Sequence, residues 1–200
     1  MNNIITHRLF PVPIFEYRLK NYEQLNKELE QYIYSLKEID PTGMKKSNAG
    51  GWHSPFFIIK ESKAVQKFIA SSHSFVADSI SKEMGWKFLP EKTNITNMWS
   101  VINSKNTFNI RHNHPNSLLS AAYYVKAKKN SGSICFFDPK EARTMRRPLI
   151  DKDNDLNADT IKVEPLEGNL LLFPSYLHHS VDENLSDEDR IVISFNLDVR

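Results

Sequence analysis

Two short segments of this chain hold residue types that can bind a metal ion. The first is Arg111-His112-Asn113-His114-Pro115, and the second runs from Phe173 to Val181 and contains the neighbours His178 and His179. Together they hold four of the seven histidines. Imidazole nitrogen is a common ligand of iron, nickel, copper and zinc, so chemistry is expected at these two segments.

The spacing of these histidines predicts how they meet. His112 and His114 are separated by one residue, and side chains on an extended chain repeat their direction every two residues, so both can face one metal ion. Of His178 and His179, only one can point inward by the same rule. Strands that are distant in sequence converge inside an antiparallel barrel, so a ligand near position 179 can complete a three-ligand face that leaves metal positions open.

The predicted last strand carries a polar face that points to an acidic ligand. The residues that share this face are Arg190, Val192, Ser194 and Asn196. Those on the opposite face are Ile191, Ile193, Phe195 and Leu197. Burying the polar face inside a barrel costs free energy unless an anionic or polar partner is present, so it predicts a bound carboxylate. The alternative is that Arg190 pairs with Asp187 or Glu188 at the surface.

Composition excludes several other classes of protein. The chain has 200 residues, 40% apolar and 25% charged, which is enough for one domain and short for two. The net charge is +2 and the basic residues are scattered, so no membrane surface is indicated and nucleic acid is a weak alternative. Cys135 is the only cysteine, and no leader or long apolar run is found, so we expect a cytoplasmic protein.

The first 93 residues predict helices and edge strands. A strand with prolines, at best an edge strand, is expected within Leu9–Leu19. Apolar residues at steps of three and four predict a helix over Tyr22–Leu36, and a second helix is expected from the cap Ser62 to the stop Gly85. A short strand is predicted over Trp52–Ile59. His53 on it is interpreted as a surface or half-buried histidine without function.

The chain from residue 94 to 200 predicts a β-rich body. Its expected strands are Thr96–Ile102, Leu118–Lys126, Ser133–Phe137, Thr160–Val163, Asn169–Phe173 and Ile191–Val199. The segment Lys140–Asp159 predicts a long mobile loop of the kind that forms lids. The whole chain is therefore expected to be a single, mainly β domain, residues 1–200, in which helices of residues 1–93 support a catalytic core of residues 94–200.

Five features in order carry a resemblance to a known family. They are His112-x-His114, Tyr123-Tyr124-Val125, Gly168-Asn169-Leu170-Leu171-Leu172-Phe173, His179-x-Val181 and Arg190. This order resembles the iron(II)- and 2-oxoglutarate-dependent oxygenases, in particular the prolyl-hydroxylase-like branch. A group of small oxygenases within it shares longer motifs, which are here His112-x-His114-Pro115, Ser120-x-x-Tyr123-Tyr124-Val125, Phe136-x-Asp138-Pro139, Phe173-Pro174-Ser175-x-Leu177-x-His179-x-Val181 and Arg190-x-x-x-Ser194-Phe195-Asn196. The resemblance spans roughly residues 97 to 196. It implies a double-stranded β-helix (jelly roll, cupin-like) core with N-terminal helices against one sheet.

The resemblance also implies roles for individual residues. His112, His114 and His179 would be the metal ligands. Arg190 and Tyr124 would hold the distal carboxylate of 2-oxoglutarate, and the same pocket would be lined by Ser194, Asn196 and Ser120. Asn97 and Trp99 are weaker candidates for substrate contact. The implied reaction uses Fe(II), 2-oxoglutarate and O2 to hydroxylate a protein side chain or a small molecule. A homodimer is left open.

Position 114 departs from the family pattern, because the family usually has Asp or Glu there. Three alternatives are left open. Asp138 or a water could complete the metal shell in place of His114. The protein could be a three-histidine metal dioxygenase of cupin type that does not use 2-oxoglutarate. It could also be a non-catalytic jelly-roll module that binds a sugar or a peptide.

Overall fold

The computed structural model describes residues 4–140, 142 and 145–199. The strands of this part, numbered β1 to β11 in chain order, are Phe15–Arg18, Asn48–Ala49, Trp52–His53, Thr93–Asn103, Phe108–His112, Leu119–Lys126, Ile134–Phe137, Thr160–Val163, Asn169–Pro174, His179–Val181 and Arg190–Val199. The longer helices are α1, Tyr22–Ile39, and α2, Lys63–Asp78. Shorter helical turns cover Ile59–Glu61, Ser79–Glu83 and Pro90–Lys92.

The strands form two antiparallel sheets. The six-stranded sheet has the order β1-β9-β6-β11-β4-β3, and the five-stranded sheet has the order β2-β5-β10-β7-β8. From β4 onward the chain crosses repeatedly between the two sheets, which brings strands distant in sequence side by side. The prediction of a mainly β, jelly-roll fold with N-terminal helices is confirmed, and β1 is an edge strand as expected.

The two helices cover the outer face of the six-stranded sheet. Leu29 and Ile33 of α1 and Phe68 of α2 are fully buried, and they belong to one apolar core with Tyr123 and Phe195 of the sheet. Since these helix residues recur at the spacing of one helical face, the packing follows directly from the sequence pattern.

The boundaries of α2 also follow from local chemistry. The Ser62 hydroxyl accepts a hydrogen bond from the Val65 amide at 3.3 Å, which caps the first turn. After α2, a π-helical turn continues to Glu83, and Gly85 has a backbone φ of +66°, a conformation that glycine adopts without strain.

The inner faces of the sheets pack on each other through a second, smaller apolar core. It consists of Ala122, Tyr124, Ile134, Phe136, Leu171, Phe173 and Leu177. Strand β11 separates the two cores, as its alternation predicts: Ile193 and Phe195 face the helices, whereas Arg190, Ser194 and Asn196 face the space between the sheets.

The prediction of a strand over Trp52–Ile59 is wrong beyond its first two residues. Only Trp52 and His53 pair with β4, and Pro55 interrupts the ladder because proline has no amide proton to donate. The chain still follows the edge of β4, since the Ser54 and Phe57 amides donate to the carbonyl oxygens of Ser100 and Met98.

The loop prediction for Lys140–Asp159 holds for the part that the structure describes, which contains no strand and no α-helix. The described residues do not include Glu141, Arg143 and Thr144 of that segment, nor residues 1–3 at the N-terminus. The mobility of this loop stays a prediction, as does the division of the chain between residues 93 and 94.

None of the described helices has the length and apolar character that crossing a membrane requires.

Candidate metal and carboxylate site

The two sheets bring three histidines together at one end of the space between them. His112 ends β5 and is paired directly with His179 at the start of β10. His114 follows two residues later, where its amide donates to the Ser175 carbonyl oxygen at 3.0 Å. The ring centroids are 4.3 to 5.3 Å apart, and one nitrogen from each ring lies within 4.8 Å of the others. Three nitrogens at this spacing can bind one metal ion.

A β-bulge aims His112 at this point. His179 pairs with His112 and Val181 pairs with Asn109, so three steps along β5 are matched by two along β10. The extra residue lets both Asn109 and His112 line the same cavity, which residues three apart on a regular strand would not do. The sequence gives no clear signal for this bulge, and the period-two argument for His112 did not include it.

Each of the three rings presents the same nitrogen to the cavity. Nδ1 lies 2.7 Å from the Ile110 carbonyl oxygen in His112, 2.9 Å from the Leu177 carbonyl oxygen in His179 and 2.7 Å from Asn196 Oδ1 in His114. Because these oxygens can only accept, each Nδ1 carries the proton. The lone pair therefore stays on Nε2, which is the form of imidazole that binds a metal.

His114 is held by the most extensive hydrogen-bond network of the three histidines. Asn196 Oδ1 accepts from its Nδ1 and also from the Ser120 hydroxyl at 2.8 Å, and Ser120 Oγ lies 3.1 Å from the same Nδ1. Ser175 Oγ is 2.7 Å from Ser120 Oγ and extends the network. Ser120, expected to line the cosubstrate pocket, does not line the cavity and instead makes these contacts. Asn196 does both.

Burial keeps the three histidines neutral. It lowers the pKa of His112 to about 4 and that of His179 to about 3, and it lowers the pKa of His114 as well. At neutral pH the rings are therefore deprotonated at Nε2. Three neutral imidazoles that face one cavity fit Fe(II), for which imidazole is a suitable ligand.

The histidines open into a cavity of about 560 Å³ between the sheets. Several predicted site residues line it: Trp99, Tyr124, Arg190, Ser194 and Asn196. Asn97 does not, although it is paired with Asn196. Asp138 also lies outside the cavity lining, and its Oδ1 accepts from the Lys140 amide, so the structure does not bring it to the histidines.

Arg190 is the most completely buried charged group of the cavity, with 0% of its surface exposed. Its Nη1 donates to the carbonyl oxygens of Ser131 and Gly132 at 2.6 and 2.7 Å, and its Nη2 donates to Asn103 Oδ1 at 2.8 Å. The Nε atom is buried without a hydrogen-bond partner. Burial lowers the pKa of Arg190 to about 10, so the guanidinium is still charged at neutral pH.

No described carboxylate neutralises this charge through an ion pair. The alternative that Arg190 pairs with Asp187 or Glu188 at the surface is wrong. Asp187 pairs with Lys105 instead, and Glu188 pairs with Lys126. A buried guanidinium with a free N–H is costly unless an anion reaches it, so Arg190 could accept a carboxylate from the cavity. Tyr124 lines the same wall, and burial raises the pKa of its hydroxyl, so the hydroxyl stays protonated and can donate.

His53 was interpreted wrongly. It is 4% exposed, lines the cavity and stacks on Trp99 with ring centroids 5.8 Å apart and planes 10° apart. Phe56, which also lines the cavity, was not singled out at all. Both were missed because they precede the β-rich region, and their position depends on how the chain follows the edge of β4.

Comparisons with known proteins agree with this geometry. The model of a protein family described as "Putative 2OG-Fe(II) oxygenase" matches residues 97–196, which is half of the chain. All three clustered histidines and Arg190 lie inside the matched range. A search of the curated proteins gives no match.

Solved structures share the fold at low sequence identity. A prolyl-4-hydroxylase from Pseudomonas putida is 13% identical, with 94% of each chain covered and a TM-score of 0.67. A prolyl hydroxylase from Trichoplax adhaerens, in complex with a hypoxia inducible factor peptide fragment, is 14% identical, with 93% of this chain and 83% of that chain covered and a TM-score of 0.66. HygX from Streptomyces hygroscopicus, with nickel, 2-oxoglutarate and hygromycin B bound, is 10% identical, with 94% and 83% covered and a TM-score of 0.60.

Proposed function

The chain belongs to the 2OG-Fe(II) oxygenase family, and we propose that the cavity between its sheets is the active site, with Fe(II) held by His112, His114 and His179. The observation that carries this proposal is the convergence of three neutral imidazoles and one buried, unneutralised guanidinium on a single cavity. The first group suits the metal and the second suits the distal carboxylate of 2-oxoglutarate.

When bound, iron, O2 and 2-oxoglutarate supply the oxidation: one oxygen atom enters a C–H bond of the substrate, and 2-oxoglutarate becomes succinate and CO2 with the other. The protein supplies position and a dry site. The Nε2 atoms of the three histidines would hold the metal and leave coordination positions for the cosubstrate and O2. The Nδ1–H groups of the three rings donate to the carbonyl and amide oxygens that fix each ring.

Arg190 and Tyr124 orient the cosubstrate in this proposal. The free Nε–H of Arg190 and the protonated hydroxyl of Tyr124 would donate to the distal carboxylate, which leaves the 2-oxo acid end toward the histidines. Ser194 lines the same strand face and adds a polar contact. Charge-assisted hydrogen bonds in a buried site are strong, so Arg190 contributes most of this recognition.

The histidine at position 114 changes the charge of the site rather than its geometry. An imidazole in place of a carboxylate makes the metal centre one unit more positive, which attracts a dianion such as 2-oxoglutarate more strongly. The replacement is therefore compatible with 2-oxoglutarate on electrostatic grounds. We propose that His114 is a true ligand, because its Nδ1 is fixed by Asn196 as firmly as the carbonyl oxygens fix the other two rings.

The substrate we propose is a protein side chain or a small molecule. The solved structure with a peptide fragment and the one with hygromycin B hold examples of each class. The nearly neutral net charge and the absence of a basic groove in the sequence disfavour nucleic acid.

Consumption of 2-oxoglutarate tests this function directly. The purified protein is supplied with Fe(II), O2 and 2-oxoglutarate without substrate, and succinate is measured over hours. Slow succinate formation that is lost in His179→Ala is expected. Iron binding without succinate formation favours the three-histidine dioxygenase, and no iron binding by the wild-type protein favours a non-catalytic binding module.

A further inference from the structure

An aromatic wall leads from the histidines to the surface of the protein. The centroid of the Trp99 ring lies 5.4 Å from that of the His114 ring. The Trp99 ring is also nearly parallel to the His53 ring. Phe56 lies 6.0 Å from Trp99 and is 51% exposed. All of these residues line the cavity, so a group that approaches the metal passes along this wall.

The charges around the wall disfavour a cationic ligand. No Asp or Glu lines the cavity in the described part of the chain, whereas Arg190 and Lys46 do. Lys46 forms no ion pair with a described residue. The two negative charges of 2-oxoglutarate offset the two positive charges of Fe(II). Arg190 and Lys46 therefore leave the loaded cavity with a net positive charge. A cation entering it is repelled, and a neutral or anionic group is not.

His53 adds one directional contact. Its Nδ1 lies 2.7 Å from the Ser54 carbonyl oxygen, which can only accept, so Nδ1 carries the proton and Nε2 holds the lone pair. No described residue hydrogen-bonds to this Nε2. A ligand lying against the wall can therefore satisfy it with an N–H or O–H group, and an unpaired acceptor that the ligand covers selects for such a donor.

We propose that His53, Phe56 and Trp99 form the substrate subsite, and that it takes a flat ring that bears an N–H or O–H donor and has no positive charge. The proposal rests on the proposed function, since it requires iron and 2-oxoglutarate in the same cavity. Ring stacking on Trp99 and Phe56 gives affinity, the His53 acceptor orients the ring, and the positive cavity excludes cations.

Three indoles that differ in charge test the proposal. Indole-3-acetate, indole and tryptamine share the ring and its N–H and carry a negative, zero and positive charge. Their binding is measured by isothermal titration calorimetry to the full chain saturated with Mn(II) and 2-oxoglutarate, so that no turnover occurs and Arg190 is occupied. We expect tryptamine to bind about tenfold more weakly than the other two, or not at all.

Two variants assign the binding to the wall. Trp99→Leu should weaken indole-3-acetate about tenfold, whereas Trp86→Leu, which removes a tryptophan that does not line the cavity, should leave it unchanged. His53→Phe keeps a flat ring but removes the acceptor. It should weaken indole-3-acetate about fivefold and leave 1-naphthylacetate, which has no N–H, unaffected.

The outcomes separate this proposal from the proposed function. If a preceding calorimetric titration shows that 2-oxoglutarate does not bind the Mn(II)-loaded protein, the proposed function fails. If 2-oxoglutarate binds but indole-3-acetate shows no heat at millimolar concentration, only the subsite is overturned. Tryptamine binding as tightly as indole-3-acetate, or binding that Trp99→Leu does not change, also overturns it.

Discussion

Replacing Asn196 by alanine should weaken metal binding without removing a ligand. Asn196 Oδ1 accepts from His114 Nδ1 at 2.7 Å and from Ser120 Oγ at 2.8 Å. Loss of such a partner typically lowers metal affinity by about 10- to 100-fold, or roughly 1.4 to 2.7 kcal/mol. Ser120 Oγ stays 3.1 Å from Nδ1 as a substitute acceptor, so the effect of Asn196→Ala should lie near the lower limit, about tenfold.

Related variants sharpen this prediction. Ser120→Ala combined with Asn196→Ala removes both acceptors and should cost about 100-fold. Asn196→Asp keeps an acceptor for Nδ1 and should retain the wild-type affinity or exceed it. Asn97→Ala is the matched control, since Asn97 is paired with Asn196 across β4 and β11 but does not line the cavity.

The assay is titration with Co(II), whose visible spectrum reports both affinity and ligand geometry, in competition with a chelator of known affinity. Urea denaturation of each apo-variant shows whether the fold is retained. An Asn196→Ala protein that binds Co(II) within twofold of wild type, with the same spectrum, would refute the argument that Asn196 holds His114 as a metal ligand.

Three further changes test the parts around the site. Arg190→Met should abolish 2-oxoglutarate binding in calorimetry while Co(II) affinity changes less than threefold, because in the proposed function Arg190 contacts the carboxylate and not the metal. Equal loss of both would contradict this. Gly132→Ala should lower the free energy of unfolding, measured in urea, by about 1–3 kcal/mol. Gly132 has a φ of +91°, and the Cβ of an alanine there would meet the Asp182 carbonyl oxygen. An unchanged urea midpoint would contradict this. Ser62→Ala removes the cap of α2 and should cost about 1 kcal/mol in the same assay, and a cost near zero would show that the cap is not needed.

The parts of the fold with regular periodicity could be predicted from the sequence. The helices of Leu29 and Phe68 and the two faces of β11 depend on local spacing, which the sequence displays. The three clustered histidines and Arg190 could be placed together because the chain order of their motifs resembles a known family. What failed was non-local or irregular: the bulge before His112, the break at Pro55, and the burial of His53.

The same distinction holds inside the site. Ser120 was expected to contact the cosubstrate because it shares a strand face with Tyr124, but side-chain direction alone does not tell which neighbour a hydroxyl meets. The position of His114 beside Asn196 and Ser120 is set by the chain after β5, which has no regular pattern. Contacts of this kind become visible only when the whole sheet is assembled.

The most direct measurement of the central claim is an anaerobic titration of the metal-free protein with Fe(II) and 2-oxoglutarate, followed by visible spectroscopy. We expect a weak charge-transfer band that needs both additions, is absent in Arg190→Ala and is lost or shifted in His114→Ala. Tight Fe(II) binding with no band on addition of 2-oxoglutarate would contradict the assignment of Arg190 and the histidines to one active site.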